Sequence, residues 1–184
     1  MIGDRWGVTD AEVARRYPCD DVVQAPTLQA WRGVTVRAPA DRLWPWVTQI
    51  RLAPYSYDWI DNLGRRSPRE LRGLPEPRAG EHFTAAFGGR PTGRILSVEP
   101  GAQFTGMLLG AAMSYVLVPD TDLTTRLLLK VAARGGPAMT RLVCIGDLVM
   151  TRRQLLNLAR LAEAAPGGPT PRPGHGDRDQ GGEH

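Results

Sequence analysis

Lysine is almost missing from this sequence. Of its 23 basic residues only Lys130 is a lysine; the rest are arginines. Heavy use of arginine, alanine and glycine also follows from GC-rich coding, so the net charge of +4 and the pI of about 9.6 do not by themselves mean a nucleic-acid partner. The basic residues are scattered, and no nucleic-acid partner is expected. Histidine and cysteine are scarce too. His82, His175 and His184 show no ligand spacing, and Cys19 and Cys144 lie far apart. Without a Cys/His/carboxylate cluster, no metal and no cofactor is expected. The two cysteines read as separate thiols, with Cys144 buried on a helix. No run of ~18 apolar residues exists, which excludes a transmembrane helix and integral membrane association. "MIGDRWGVTDAEVARR" has no apolar h-region, so no secretory signal is expected and the expected location is cytoplasmic. There is no Gly-x-Ser-x-Gly, so a Ser–His–Asp hydrolase built on His82 with Ser56 or Ser114 is rejected. "FGGRPTG" lacks a following helix and a Lys-Ser/Thr ending, and reads as a hairpin rather than a phosphate loop.

What is present has a clear order. Residues 1–26 form a leader. Within it "TDAE" (9–12) is a capping box that starts a helix over 10–17, stopped by Pro18. Residues 27–165 form the main domain. "TLQAWRGVTVRAP" (27–39) alternates as a strand with one buried face, and Pro39 suits the first position of a helix. Leu43, Trp46, Val47 and Ile50 recur at helical spacing, with Pro45 inside the pattern. A second short helix is expected over 57–63, with Ser56 as N-cap and Gly64 as the stop. From residue 82, "HFTAAF", "PTGRILSVEP", "AQFTGMLL", "MSYVLVP" and "TTRLLLKVAAR" form an antiparallel meander, giving six strands in all. In the last of these Thr125, Leu127, Leu129 and Val131 share one face; Arg126, Leu128 and Lys130 share the other.

A long helix follows "RGGP". Leu142, Ile145, Val149 and Leu156 lie on one stripe, with Leu148, Leu155, Leu158 and Ala162 beside it. Residues 166–184 carry no apolar pattern and are expected to be disordered. The fold class is α+β: a curved antiparallel sheet wrapped on a long C-terminal α-helix, with two short helices after the first strand.

Aromatic residues make up only 7% of the chain, yet "PYSYDW" (54–59) holds three of them. Tyr57 and Asp58, with His82, are the candidates for proton transfer. Asp58 and Asp61 share a helical face and could raise each other's pKa. Aspartate in a first helical turn also simply stabilises the dipole. Structural or pocket-lining roles are therefore favoured. Trp46, Tyr55, Tyr57, Trp59, Phe83, Phe87, Phe104, Met107, Tyr115 and Met150, along with Met113 and Met139, are the candidate walls of an apolar cavity. Arg126 suits a buried or ligand carboxylate as well as it suits solvent. "RRSPRELR" (65–72) is the one dense basic patch, read first as a solvated loop.

"LWPWVTQI…YSYDWIDNLG" (43–64) and "GDLVMTRRQLLNLARLAE" (146–163), preceded by "WGVTDAEVARRYPCDD" (6–21), resemble a bacterial subgroup of the START/polyketide-cyclase-like (SRPBCC) superfamily. The resemblance spans roughly residues 6–165. It implies a helix-grip fold with a space between sheet and closing helix for an apolar or amphipathic small molecule. Members carry lipids, sterols or hormones, or cyclise and dehydrate polyketides. No single catalytic motif defines them, so no catalytic residue transfers. The leading expectation is a small-molecule binding protein, monomeric or homodimeric. The alternatives are a polyketide cyclase or dehydratase, and an interaction module without an open cavity.

Overall fold

The computed structural model describes residues 4–61, 63–86, 88–135 and 137–165, with the side chains of 61 and 137–149 outside the description. Strand β1 (Arg5–Trp6) is followed by helix α1 (Asp10–Ala14) and a 3₁₀ turn at Pro18–Asp20. Strand β2 (Leu28–Val36) leads into helix α2 (Ala40–Thr48), a further 3₁₀ turn at Gln49–Arg51, and helix α3 (Asp58–Asp61). Six more strands follow: β3 (Thr84–Ala86), β4 (Arg90–Thr92), β5 (Arg94–Glu99), β6 (Gln103–Leu108), β7 (Ala111–Thr121) and β8 (Thr124–Ala133). Helix α4 (Pro137–Ala164) closes the order. The main sheet runs β1-β2-β8-β7-β6-β5, antiparallel except for the parallel β1–β2 pair.

The two parities of β8 separate as the alternation demands. Leu127, Leu129 and Val131 face the inner layer with Leu155, Leu158 and Ala162 of α4. Leu128 and Ala132 face the opposite side, where Tyr17, Cys19 and Val23 of the leader cover them. The alternation over 27–39 predicts a strand with one buried face; the strand observed is Leu28–Val36. It buries part of both faces, because Trp31 lies under the leader while Leu28, Ala30 and Val36 lie under the helix side.

Two ion pairs pin the leader. Arg126 grips the Glu12 carboxylate from two sides (Nε–Oε1 2.8 Å, Nη2–Oε2 2.9 Å) and also donates to the Gly7 carbonyl and Thr35 Oγ1. Lys130 pairs with Asp20 and lies over the Tyr17 and Trp31 rings. The capping box is formed: Glu12 N–H donates to Thr9 Oγ1 and Thr9 N–H to Glu12 Oε2. Glu12 thus serves both the helix start and the sheet. Burial pushes its carboxyl up, but the bonds from Arg126 and Thr9 outweigh burial and hold it below its ordinary 4.5. A carboxyl lowered on folding stabilises above its unfolded pKa, and that stability is lost as pH falls through the folded value. Urea midpoints measured against pH should therefore drop below about pH 4. In Glu12→Gln the midpoint should start lower at neutral pH and fall less steeply in acid.

Several expectations change in the structure. The helix over 10–17 ends at Ala14; Arg15 is extended, and Tyr17 turns inward to donate its hydroxyl to the Glu12 carbonyl. Pro39 is the N-cap of α2 rather than its first residue, and Pro45 lies inside that helix. The helix over 57–63 is a single turn, because Leu63 and Gly64 both take positive φ; the Gly64 N–H then closes on the Asp58 carbonyl at 2.7 Å. "HFTAAF" supplies β3, which leaves the meander and pairs only with β4 in a separate hairpin. Its place among six sheet strands is taken by β1. On α4 the stripe of Leu155, Leu158 and Ala162 is buried, whereas Leu156 is exposed. Phe87, the tail from 166, and the stripe residues 142, 145, 148 and 149 with Met139 and Cys144 lie outside the described side chains.

Candidate functional site

The site of interest is the layer between the sheet and α4, and its floor is aromatic. Phe104 on β6 and Tyr115 on β7 are cross-strand partners, so their rings share the inner face. The β3–β4 hairpin delivers Phe83 onto the same face. Its ring stacks on Phe104 (centroids 5.2 Å apart) and tilts against Tyr115 at 6.3 Å. Only glycine fits beneath it: a Cβ on Gly106 would stand 2.0 Å from Phe83 Cδ2.

A belt of buried polar groups borders this floor. Tyr115 donates its hydroxyl to Gln154 Oε1 on α4 at 2.6 Å, and Gln154 Nε2 donates to the Pro54 carbonyl at 2.5 Å. Asn157 Nδ2 donates to the Tyr55 carbonyl at 2.9 Å. Gln154 and Asn157 are three positions apart, so one helix face holds both. The segment 54–55 is therefore clamped to the closing helix, with Tyr55 in the left-handed region at φ 58°. The Tyr55 hydroxyl accepts from Gln49 Nε2 at 2.6 Å. The same Gln49 holds the 70–72 loop through the Glu70 carbonyl and the Arg72 N–H. Burial pushes the Tyr55 phenol up to about 12, so it stays protonated at neutral pH and cannot act as a base.

The two tryptophans of α2 differ. Trp44 Nε1 donates to the Glu76 carboxylate at 3.0 Å. Trp46 Nε1 is buried and has no hydrogen-bond partner among the described residues.

The candidate residues divide accordingly. Trp46, Tyr55, Phe83, Phe104 and Tyr115 come together in the inner cluster. Tyr57 is half-buried, with the Arg153 guanidinium 5.7 Å from its ring centre. Asp58 accepts from the Ser67 N–H at 3.0 Å and the Ser67 hydroxyl at 2.6 Å, so both its oxygens serve the loop. His82 is exposed. Trp59 faces solvent rather than a cavity, because the one-turn helix points it away from the sheet. Met107 lies on the leader side of the sheet, since its parity is opposite to that of β6 residue Phe104 on the inner side. Met150 is half-buried on α4. Arg126 is engaged by Glu12 and is not presented to a ligand. A depression of about 350 Å³ lined by Val22, Val23, Gln24, Gly110 and Arg134 lies beside the leader, away from this layer. Among the described residues no group of His, Cys, Asp and Glu could hold a metal ion. No described helix is long and apolar enough to cross a membrane.

Gln49, Gln154 and Asn157 were not singled out from sequence. The only signal was a polar residue adjoining a buried helical stripe, as Gln154 adjoins Leu155 and Leu158.

No family model matches the chain, and no curated protein matches it. Solved structures do. A protein from Mesorhizobium loti, 19% identical, aligns with TM-score 0.54 over 75% of this chain and 98% of its own. One from Nitrosomonas europaea, 15% identical, aligns with TM-score 0.51 over 74% and 94%. A Polyketide_cyc-like protein from Corynebacterium glutamicum, 15% identical, aligns with TM-score 0.50 over 76% and 94%. With its mostly antiparallel sheet closed by a long C-terminal helix, the chain has the helix-grip fold, shared with that Polyketide_cyc-like protein.

Proposed function

We propose that the protein binds an amphipathic small molecule in the layer between the sheet and α4. The observation that carries this reading is the buried Trp46 N–H, which has no partner among the described residues. A buried indole N–H ordinarily finds an acceptor, and leaving it unpaired costs about 1–3 kcal/mol. An acceptor group on a bound molecule would remove that cost, while its apolar body meets the aromatic floor. Tyr55 is a second donor: its hydroxyl accepts from Gln49 and donates to no described residue. The fold shared with a Polyketide_cyc-like protein is compatible with binding and with a cyclase. Asp58 and His82 lend the cyclase no support: Asp58 is committed to Ser67, and His82 opens to solvent.

Native mass spectrometry of gently purified protein tests the reading directly, with bound material extracted and identified. A fluorescent probe, anilinonaphthalene sulfonate, extends the test because it joins an aromatic body to a hydrogen-bond acceptor. Trp46→Phe should weaken its binding about tenfold, the worth of one net hydrogen bond. Binding of naphthalene, which has no acceptor, should not change. An empty spectrum together with no saturable probe binding would overturn the proposal.

A further inference from the structure

One short stretch of the chain, residues 59–71, exposes four large apolar side chains. Trp59 and Ile60 on α3, then Leu63 and Leu71, all face water, with Trp59 73% and Leu63 68% exposed. A lone exposed leucine needs no explanation, but a tryptophan, an isoleucine and two leucines within thirteen residues do. Between them the loop displays Arg65, Arg66, Arg69 and Arg72, all exposed. Against these stand Asp58, whose oxygens are taken by Ser67, together with Asp61 and Glu70. The segment is tied to its neighbours at two points. Arg65 Nη1 donates to the Gly88 carbonyl at 2.7 Å, which ties the loop to the β3–β4 hairpin. Arg90, two residues along the same hairpin, is also exposed. On the inner side, Gln49 holds the loop backbone at Glu70 and Arg72.

We infer that this surface docks the protein on an anionic lipid bilayer. The chemistry of the patch matches the interface between headgroups and acyl chains. Tryptophan and aliphatic side chains enter the boundary, while arginines between them meet lipid phosphates bidentately. A protein partner is less well matched. Protein anchors are enclosed in packed, desolvated pockets, whereas these side chains project from a single helical turn and a loop, interleaved with charge. The docking is peripheral and reversible, because four side chains bury far less apolar area than a spanning helix does. It would set the loop that covers Tyr55 and Gln49 against the lipid. The inference does not depend on the ligand reading and stands or falls on separate measurements.

The test is cosedimentation of the full chain with vesicles of equal parts phosphatidylcholine and phosphatidylserine. Binding is expected at low ionic strength, at least tenfold weaker with phosphatidylcholine alone, and reduced by added salt. Trp59 is expected to be quenched by brominated acyl chains, and Trp59→Phe should remove that quenching. Two surface pairs, Trp59→Ser with Leu63→Ser and Arg66→Gln with Arg69→Gln, should each lower vesicle binding at least tenfold with the circular dichroism spectrum retained. The inference is overturned if the wild-type chain ignores anionic vesicles, or if both pairs bind as it does. It is also overturned if the chain is a dimer in vesicle-free buffer that Trp59→Ser with Leu63→Ser dissociates, since the patch is then the contact between two copies.

Discussion

Asp20→Ala should lower the free energy of unfolding by about 2–3 kcal/mol, less than the ~3–5 kcal/mol of a fully buried ion pair because the Asp20 side chain is 27% exposed. Lys130 makes this site sensitive. Its side chain is only 6% exposed, under the leader on the outer face of the sheet, between the Tyr17 and Trp31 rings. Asp20 supplies the opposing carboxylate and also accepts from the Tyr17 N–H at 2.9 Å, so alanine removes an anion and a turn contact together. The ammonium is then left buried opposite no charge. Lys130→Met should cost much less, because it removes the buried charge and fills the same volume, leaving a carboxylate that can turn to water. Asp20→Asn combined with Lys130→Met should fall within about 1–2 kcal/mol of wild type. A urea-denaturation double-mutant cycle reads all of these values. If Asp20→Ala unfolds at the wild-type midpoint, the leader does not sit on Lys130 and the outer layer described above is wrong.

Gly106→Ala is the second large expectation. The added methyl would lie 2.0 Å from Phe83, so the ring must leave its seat on the sheet. Overpacking of this kind costs about 1–3 kcal/mol. Losing the Phe83–Phe104 stack adds about 0.5–1.5 kcal/mol. The combined loss should therefore be roughly 3 kcal/mol, accompanied by a weaker near-ultraviolet aromatic signal. Phe83→Leu in the Gly106→Ala background should recover part of it, because the smaller side chain clears the methyl. Should Gly106→Ala match wild type in both stability and spectrum, Phe83 does not form the floor of the inner layer.

Much of this protein was determined by its sequence alone. The capping box at Thr9 and Glu12, the stop at Gly64, the meander from 94 to 133 and the long closing helix depend on neighbours a few residues apart. Local stereochemistry and alternation are enough to specify them. The two faces of β8 were likewise readable, since side-chain direction alternates along any strand. Alternation could not say what would cover the second face. That was decided when residues 5–6 paired in parallel with β2 and the leader brought Glu12 to Arg126, Cys19 to Ser114 and Asp20 to Lys130, each roughly a hundred residues away.

The candidate site divides in the same way. The aromatic residues were legible by type, and five of them converge on the inner cluster. Which of them point inward was not legible. Trp59 differs from Tyr55 only in the turn that carries it; alternation separates Met107 from Phe104 but does not say which of the two faces is the inner one. The polar belt of Gln49, Gln154 and Asn157 left almost no trace in sequence, because glutamine and asparagine are ordinary on helix surfaces and become structural only when a distant carbonyl or phenol meets them. Local sequence sets the conformation and facing of each segment. Only the tertiary structure decides which buried polar group meets which partner, because those contacts join segments that the chain itself keeps far apart.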